Sequence, residues 1–345
     1  MKTLLVTGGC GFIGSQFVKL VLRERPQYRV VNLDLLTYAG NPENLAHEER
    51  ARDPGAYRFI HGDIADTKLV EQTLSSDKVD AIINFAAETH VDRSLLDSAP
   101  FLRTNVEGTR VLLDCASRLG IQRFLQISTD EVYGSLEPSD PPFTEVHPLE
   151  PNSPYAASKA AADLLVRAYH RSYGVPALVT RCGNNYGHYQ FPEKFLPLFI
   201  TNALDDQPLP LYGDGRQIRD WIHVEDHARA LLCVLEDGAV GETYNVSANG
   251  EHTNLHMAER VLSLMGKPSS LLRYVTDRLG HDRRYGIDAG KLRRELGWQP
   301  LISLDDGLLA TIVWYREQRG WWERIKSGEY RKYYAQQYGD RLGGE

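Results

Sequence analysis

With 345 residues, 42% of them hydrophobic and 25% charged, the chain has the composition of a folded globular protein, which excludes disorder, collagen and a disulfide-rich scaffold. A formal charge of −7 with no long Lys/Arg cluster argues against a nucleic-acid partner, and no apolar run approaches the ~18–20 residues that a membrane helix needs. Four cysteines without CxxC spacing, and a Met1-Lys2 start leading straight into an apolar run, point to reduced thiols and a cytoplasmic location.

From there strands and helices alternate. Residues 2–6 form the first predicted strand, and Gly8-Gly9-Cys10-Gly11-Phe12-Ile13-Gly14 joins it to a helix over 11–25. In this G-x-x-G-x-x-G spacing Gly8 permits the tight turn, Gly11 lets backbone approach a pyrophosphate, and Gly14 allows close helix–strand packing. The second strand, 29–34, ends on Asp34, whose carboxylate suits both ribose hydroxyls and repels a 2′-phosphate, so NAD is expected rather than NADP. A third strand, 57–61, leads to Asp63 and Ile64, placed to hold an adenine. A helix over 67–75, a strand over 79–85 and a helix over 103–119, capped by Gly120, come next.

The fifth strand, 123–128, runs into Ser128-Thr129-Asp130-Glu131 at the carboxyl edge, where open α/β sheets bind ligands. Adjacent carboxylates there read as an acid and a base with split pKa values, and Thr129 is placed to share a substrate hydroxyl. On the helix predicted over 154–173, ending at Gly174, Tyr155 and Lys159 share one face. A nearby ammonium and a positive nicotinamide both favour phenolate, so Tyr155 is expected to take a proton from a hydroxyl while the carbon gives hydride to NAD. After a sixth strand, 177–181, regularity fails. Residues 184–220 are expected to be irregular, 221–246 return to a helix and a strand, and the chain from 253 onward is mainly helical. The fold class is α/β, a Rossmann-type doubly wound parallel sheet with a smaller, mixed C-terminal lobe. The expected division is 1–181 with 214–250 for NAD, and 182–213 with 251–345 for substrate.

These motifs resemble the extended short-chain dehydrogenase/reductases, and within them the dTDP-glucose 4,6-dehydratase family. The likeness runs nearly end to end, through stretches 34–41, 86–94, 128–134, 184–187, 189–194, 219–224 and 280–285. Thr129-Asp130-Glu131 is the discriminating element, because the similar 4-epimerases lack the acidic pair. Gly183 and His188 depart from the family, which often has Ser and Pro there. The resemblance implies that Tyr155, helped by Thr129 and Lys159, deprotonates the sugar O4 while C4 gives hydride to NAD. Glu131 then takes the C5 proton, Asp130 protonates the leaving C6 hydroxyl, and hydride returns to C6. Phe12, Ile13, Thr37 and Ala86 complete the implied cofactor set. His90, Thr129, Asn184, Lys194, Arg219, Arg278 and His281 belong to the implied sugar-diphosphate set, and Pro210, Tyr212 and Asn254 to the nucleoside set.

The resemblance also implies a homodimer formed through the helices 103–119 and 154–173. The pairs His223/His227 and His252/His256 have i,i+4 spacing but no third ligand, so no metal is expected. The aromatic tail (Trp314, Tyr315, Trp321, Trp322, Tyr330, Tyr333, Tyr334) reads as packing and surface. The rival readings are an epimerase or decarboxylase acting on a UDP-sugar, and a non-catalytic NAD sensor. The second has no need of Tyr155, Lys159 and the acidic pair together.

Overall fold

The computed structural model describes residues 2–46, 55–277 and 281–327. Seven strands, β1 (Lys2–Thr7), β2 (Tyr28–Asp34), β3 (Tyr57–His61), β4 (Ala81–Asn84), β5 (Arg123–Thr129), β6 (Ala177–Cys182) and β10 (Thr243–Val246), form one sheet. Their order is β10-β6-β5-β4-β1-β2-β3, every pairing parallel. Side-chain alternation explains the two covering layers. Leu4 and Val6 pack with Val21, Leu231 and Val234 on one face, while Leu5, Val31 and Ile82 pack with Leu112, Cys115 and Val166 on the other. The order reverses between β1 and β4, and this switch point opens a crevice at the carboxyl ends. Below it, the Thr7 hydroxyl donates to Asn84 (2.6 Å) and the Asn84 amide donates to Gln126 (2.9 Å), linking three adjacent strands.

Gly120 and Gly174 end their helices in the left-handed conformation, at φ 67° and 70°. Helix 103–119 differs from expectation. It begins with Ala99–Phe101 and passes through a π-helical stretch, Leu102–Gly108, before the α-helix Thr109–Leu119. The wider turn carries Asn105, whose amide brackets Glu88 (2.9 Å from its N–H, 3.1 Å to its carbonyl) and donates to Ser158 (2.8 Å).

The stretch 184–220 is more ordered than its composition implies. It holds β7 (Asn184–Tyr186), the helix Phe195–Leu204, β8 (Leu209–Tyr212) and the start of β9 (Ile218–His223). The helix is buried without a break from Leu196 to Ala203, so it shows no polar face to betray its period. Its Pro197 sits in the first turn, where the missing N–H costs nothing. β9 pairs with β7 in parallel and with β11 (Glu251–Thr253) antiparallel; β8 pairs with β12 (Leu272–Val275). Tyr186, Trp221, Met257, Ile312, Tyr315, Trp321 and Trp322 fill a separate core. Trp321 and Trp322 are therefore packing residues, as is Trp314 beside them; Tyr330, Tyr333 and Tyr334 lie outside the described residues. Among the described residues no helix is long and apolar enough to cross a membrane.

Candidate active site

The Gly-rich loop turns sharply between β1 and the helix Phe12–Glu24. Gly8 has φ +68°, and a Cβ there would meet the Ala86 backbone nitrogen at 2.7 Å. A Cβ on Gly14 would collide with the Gly8 carbonyl. Only a bare backbone fits, and this leaves the helix start open to a pyrophosphate. Gly14→Ala is expected to cost about 1–3 kcal/mol of stability and to strip the protein of NAD. Melting curves and the nicotinamide content of the purified variant check this.

Asp34 ends β2 with only 7% exposure and accepts hydrogen bonds from Cys10 and Leu36 N–H, both at 2.8 Å. Asn32, which sequence reasoning overlooked, accepts from the Gly9 N–H at 3.0 Å and braces the loop. Gly8, Gly11, Phe12, Ile13, Gly14, Asp34, Thr37, Asp63, Ile64 and Ala86 all line one cavity of about 310 Å³. This lining, with its bare-backbone cradle and terminal carboxylate, fits NAD. Asp63 is also tied by an ion pair to Arg103 at 2.7 Å.

Thr129, Asp130, Glu131, Tyr155 and Lys159 line the same cavity. Thr129 ends β5 and caps the 3-10 turn Asp130–Tyr133, accepting from the Glu131 N–H at 3.3 Å. Asp130 is 2% exposed, and burial pushes its carboxyl well above the usual range, reinforced by the charges of Glu131 and Asp220. Asp130, with its carboxyl raised, adjoins the half-buried Glu131, so the two carboxylates stand in different environments.

Tyr155 is buried beside these carboxylates. Burial pushes its phenol well above the usual value, with Glu131 adding to the rise, and only a hydrogen bond with Thr129 favours the phenolate. The Lys159 ammonium, itself pushed down by burial, donates to the Ile127 carbonyl at 2.6 Å. The Lys159 bond to Ile127 ties the helix to β5.

Of the expected substrate residues, Thr129, Asn184 and Lys194 line the cavity. Lys194 donates to the Thr89 carbonyl at 3.1 Å. His90 stands behind the wall, 3.7 Å from Glu193. Arg219 lies off the lining, 4% exposed, stacked 4.3 Å from the Tyr285 ring and donating to the Asp282 carbonyl at 3.0 Å. Pro210, Tyr212, Asn254 and His281 sit apart from it in the lobe, with Tyr212 edge-on to His281 at 6.1 Å. Arg278 lies outside the described residues.

Two distant stretches meet at the far wall. Glu193 is 6% exposed and pairs with Arg93 at 3.1 Å, while the Arg93 guanidinium lies 4.1 Å over the Tyr38 ring. Glu88, Glu193, Gln190, Phe191 and Cys182 line the cavity without having been singled out individually from sequence; only membership of stretches 86–94 and 189–194 pointed to four of them. Gly183 is needed where it stands, because a Cβ would meet the Asp220 carbonyl at 2.5 Å.

The family model described as GDP-mannose 4,6 dehydratase matches residues 5–311. A dTDP-glucose 4,6-dehydratase of Streptomyces niveus is 50% identical over 328 residues, covering 94% of this chain and 96% of the relative. The chain belongs to the dTDP-glucose 4,6-dehydratase family. A solved member of that family, from Streptomyces venezuelae with NAD and TYD bound, is 52% identical with a TM-score of 0.90, covering 94% of this chain and 100% of that one. A UDP-glucose 4-epimerase of Thermotoga maritima, solved with UDP-glucose, has a similar fold at TM-score 0.85, with 92% and 99% covered, yet is only 29% identical. The family's fold is thus shared with epimerases, and the reaction must be argued from the site.

Proposed function

We propose that this chain dehydrates dTDP-glucose to dTDP-4-keto-6-deoxyglucose with bound NAD. The observation that carries the reading is the buried Asp130, its carboxyl raised, adjoining Glu131 in the cavity that also holds Tyr155 and the glycine cradle. When bound, NAD would accept the hydride from C4 and, after water has left, return it to C6 as C5 is protonated. Thr129 and Tyr155 hold the O4 hydroxyl, and Tyr155 takes its proton. The 4-ketone then acidifies C5–H, and Glu131 removes that proton. Asp130 delivers its proton to the C6 hydroxyl, which leaves as water, and Glu131 returns a proton to C5. The Lys159 bond to Ile127 holds the Tyr155 helix against β5 through these steps. Asn184 and Lys194, which line the cavity, are assigned to the sugar-diphosphate; Pro210, Tyr212 and Asn254, off the lining in the lobe, are assigned to the nucleoside by the family resemblance alone. Incubation with dTDP-glucose tests this. Loss of one water from the sugar mass is expected, whereas an isobaric product establishes epimerisation; UDP- and GDP-hexoses run in parallel measure the base preference.

The working form in this reading is a cytoplasmic homodimer. Its four cysteines are free thiols, which suits a reducing compartment. Leu96, Leu102 and Leu164 are 65%, 55% and 56% exposed on neighbouring helices, an apolar face suited to a second copy. Leu102→Glu combined with Leu164→Glu is expected to halve the mass in sedimentation equilibrium. An unchanged mass contradicts this interface.

A further inference from the structure

Two loops that line the cavity from different strands meet at one junction. Thr37, Ala39 and Gly40 line it from the loop after β2, and Gln190, Phe191, Glu193 and Lys194 from the loop after β7. Tyr38 stands among the first set but off the lining, and its ring lies edge-on to Phe191 with the centroids 5.5 Å apart. Arg93, on the helix Val91–Leu96 after β4, completes the junction. Its guanidinium covers the Tyr38 ring at 4.1 Å while one edge donates to Glu193 at 3.1 Å. A planar fork can stack and donate at once, which an ammonium cannot. Each loop also carries a non-glycine residue in the left-handed region, Leu36 at φ 54° and Tyr189 at φ 67°. Such residues persist where surrounding contacts hold them, and they gather at segments that clamp ligands. The first loop is short and tied at both ends, the Leu36 N–H donating to Asp34 at 2.8 Å and the Asn41 N–H to the Cys10 carbonyl at 3.0 Å.

We propose that Tyr38 and Arg93 are positioning residues that clasp the cofactor loop to the substrate loop, so that filling the dTDP site slows the escape of NAD. The reaction needs this, because the cofactor that takes hydride from C4 must still be present to return it to C6. Lys194 adjoins Glu193 and sits on the same loop as Phe191, so a diphosphate drawn to Lys194 steadies the residues that Tyr38 and Arg93 grip. That steadiness passes through Tyr38 to Thr37, Ala39 and Gly40 on the cofactor side. A ligand favouring the clasped arrangement thus favours retention of its neighbour. Neither Tyr38 nor Arg93 lies on the cavity lining, so both act through the residues beside them.

Exchange of bound NAD for radiolabelled NAD in the loaded full chain, with and without dTDP and without turnover, provides the test. In the parent, saturating dTDP is expected to slow exchange about tenfold, a usual size for coupling between two sites. Arg93→Met, which keeps the stem and removes the fork, is expected to abolish that slowing. Tyr38→Leu is expected to do the same while leaving the Arg93–Glu193 ion pair in place, and it decides the matter where Arg93→Met does not fold. The inference rests on the dehydration reading for its dTDP-sugar. Exchange that behaves as predicted in a protein that does not convert dTDP-glucose upholds the clasp and fails that reading alone. The clasp is overturned if dTDP leaves exchange in the parent unchanged. It is equally overturned if folded Tyr38→Leu keeps the parent's full dTDP effect, even with faster exchange overall, since that is the mark of lost packing only.

Discussion

Replacing Glu131 with Gln is expected to lower turnover by about 10²–10⁴-fold, the usual worth of a positioned base, while the first oxidation survives. The amide keeps the shape and the backbone bond to Thr129, so substrate and cofactor still meet. It cannot accept the C5 proton. Reduced nicotinamide should therefore accumulate on the enzyme, and solvent deuterium should stop entering at C5. Full C5 exchange in this variant assigns the base elsewhere. Asp130 works in the opposite sense. Its carboxyl is raised, so it keeps its proton as the solution becomes more basic, and turnover declines once pH passes that raised value. The same sign governs stability. A carboxyl raised on folding stabilises below its unfolded pKa and loses that contribution as pH rises through its folded pKa. Asp130→Asn should thus gain stability over the parent on the basic side.

Tyr155→Phe is expected to reduce turnover by a similar ~10²–10⁴-fold, but at an earlier step. Neither reduced nicotinamide nor C5 exchange should appear, because the O4 proton has nowhere to go. The ring still packs against Phe101, whose centroid is 6.3 Å away, so folding is preserved. Since the phenol is raised in the protein alone, the first step in the parent should quicken as pH rises, while overall turnover falls once Asp130 loses the proton it gives to the C6 hydroxyl. A Phe variant with near-normal hydride transfer removes Tyr155 from the chemistry.

The sheet was readable because each strand carries its own evidence: Leu4, Leu5 and Val6 are all apolar, as only a strand covered on both faces must be. Gly8, Gly14 and Asp34 were readable because backbone geometry admits little else there. The helix Phe195–Leu204 escaped because total burial erases the polar face that marks a period. The π-helical stretch Leu102–Gly108 escaped because hydrogen-bond offset leaves no residue signature. Glu193 and Arg93 lie far apart in the chain, and their pairing depends on tertiary structure. The Ile127 partner of Lys159 was not legible for a related reason. Helical spacing puts Lys159 on the face of Tyr155, but the Ile127 carbonyl that accepts from its ammonium is supplied only by the folded sheet.

The most direct measurement follows a label through one turnover. dTDP-glucose deuterated at C4 is converted without any added reductant, and the product is analysed by NMR. Deuterium is predicted at C6. Deuterium washed into solvent, or left at C4 of an epimer, contradicts the account.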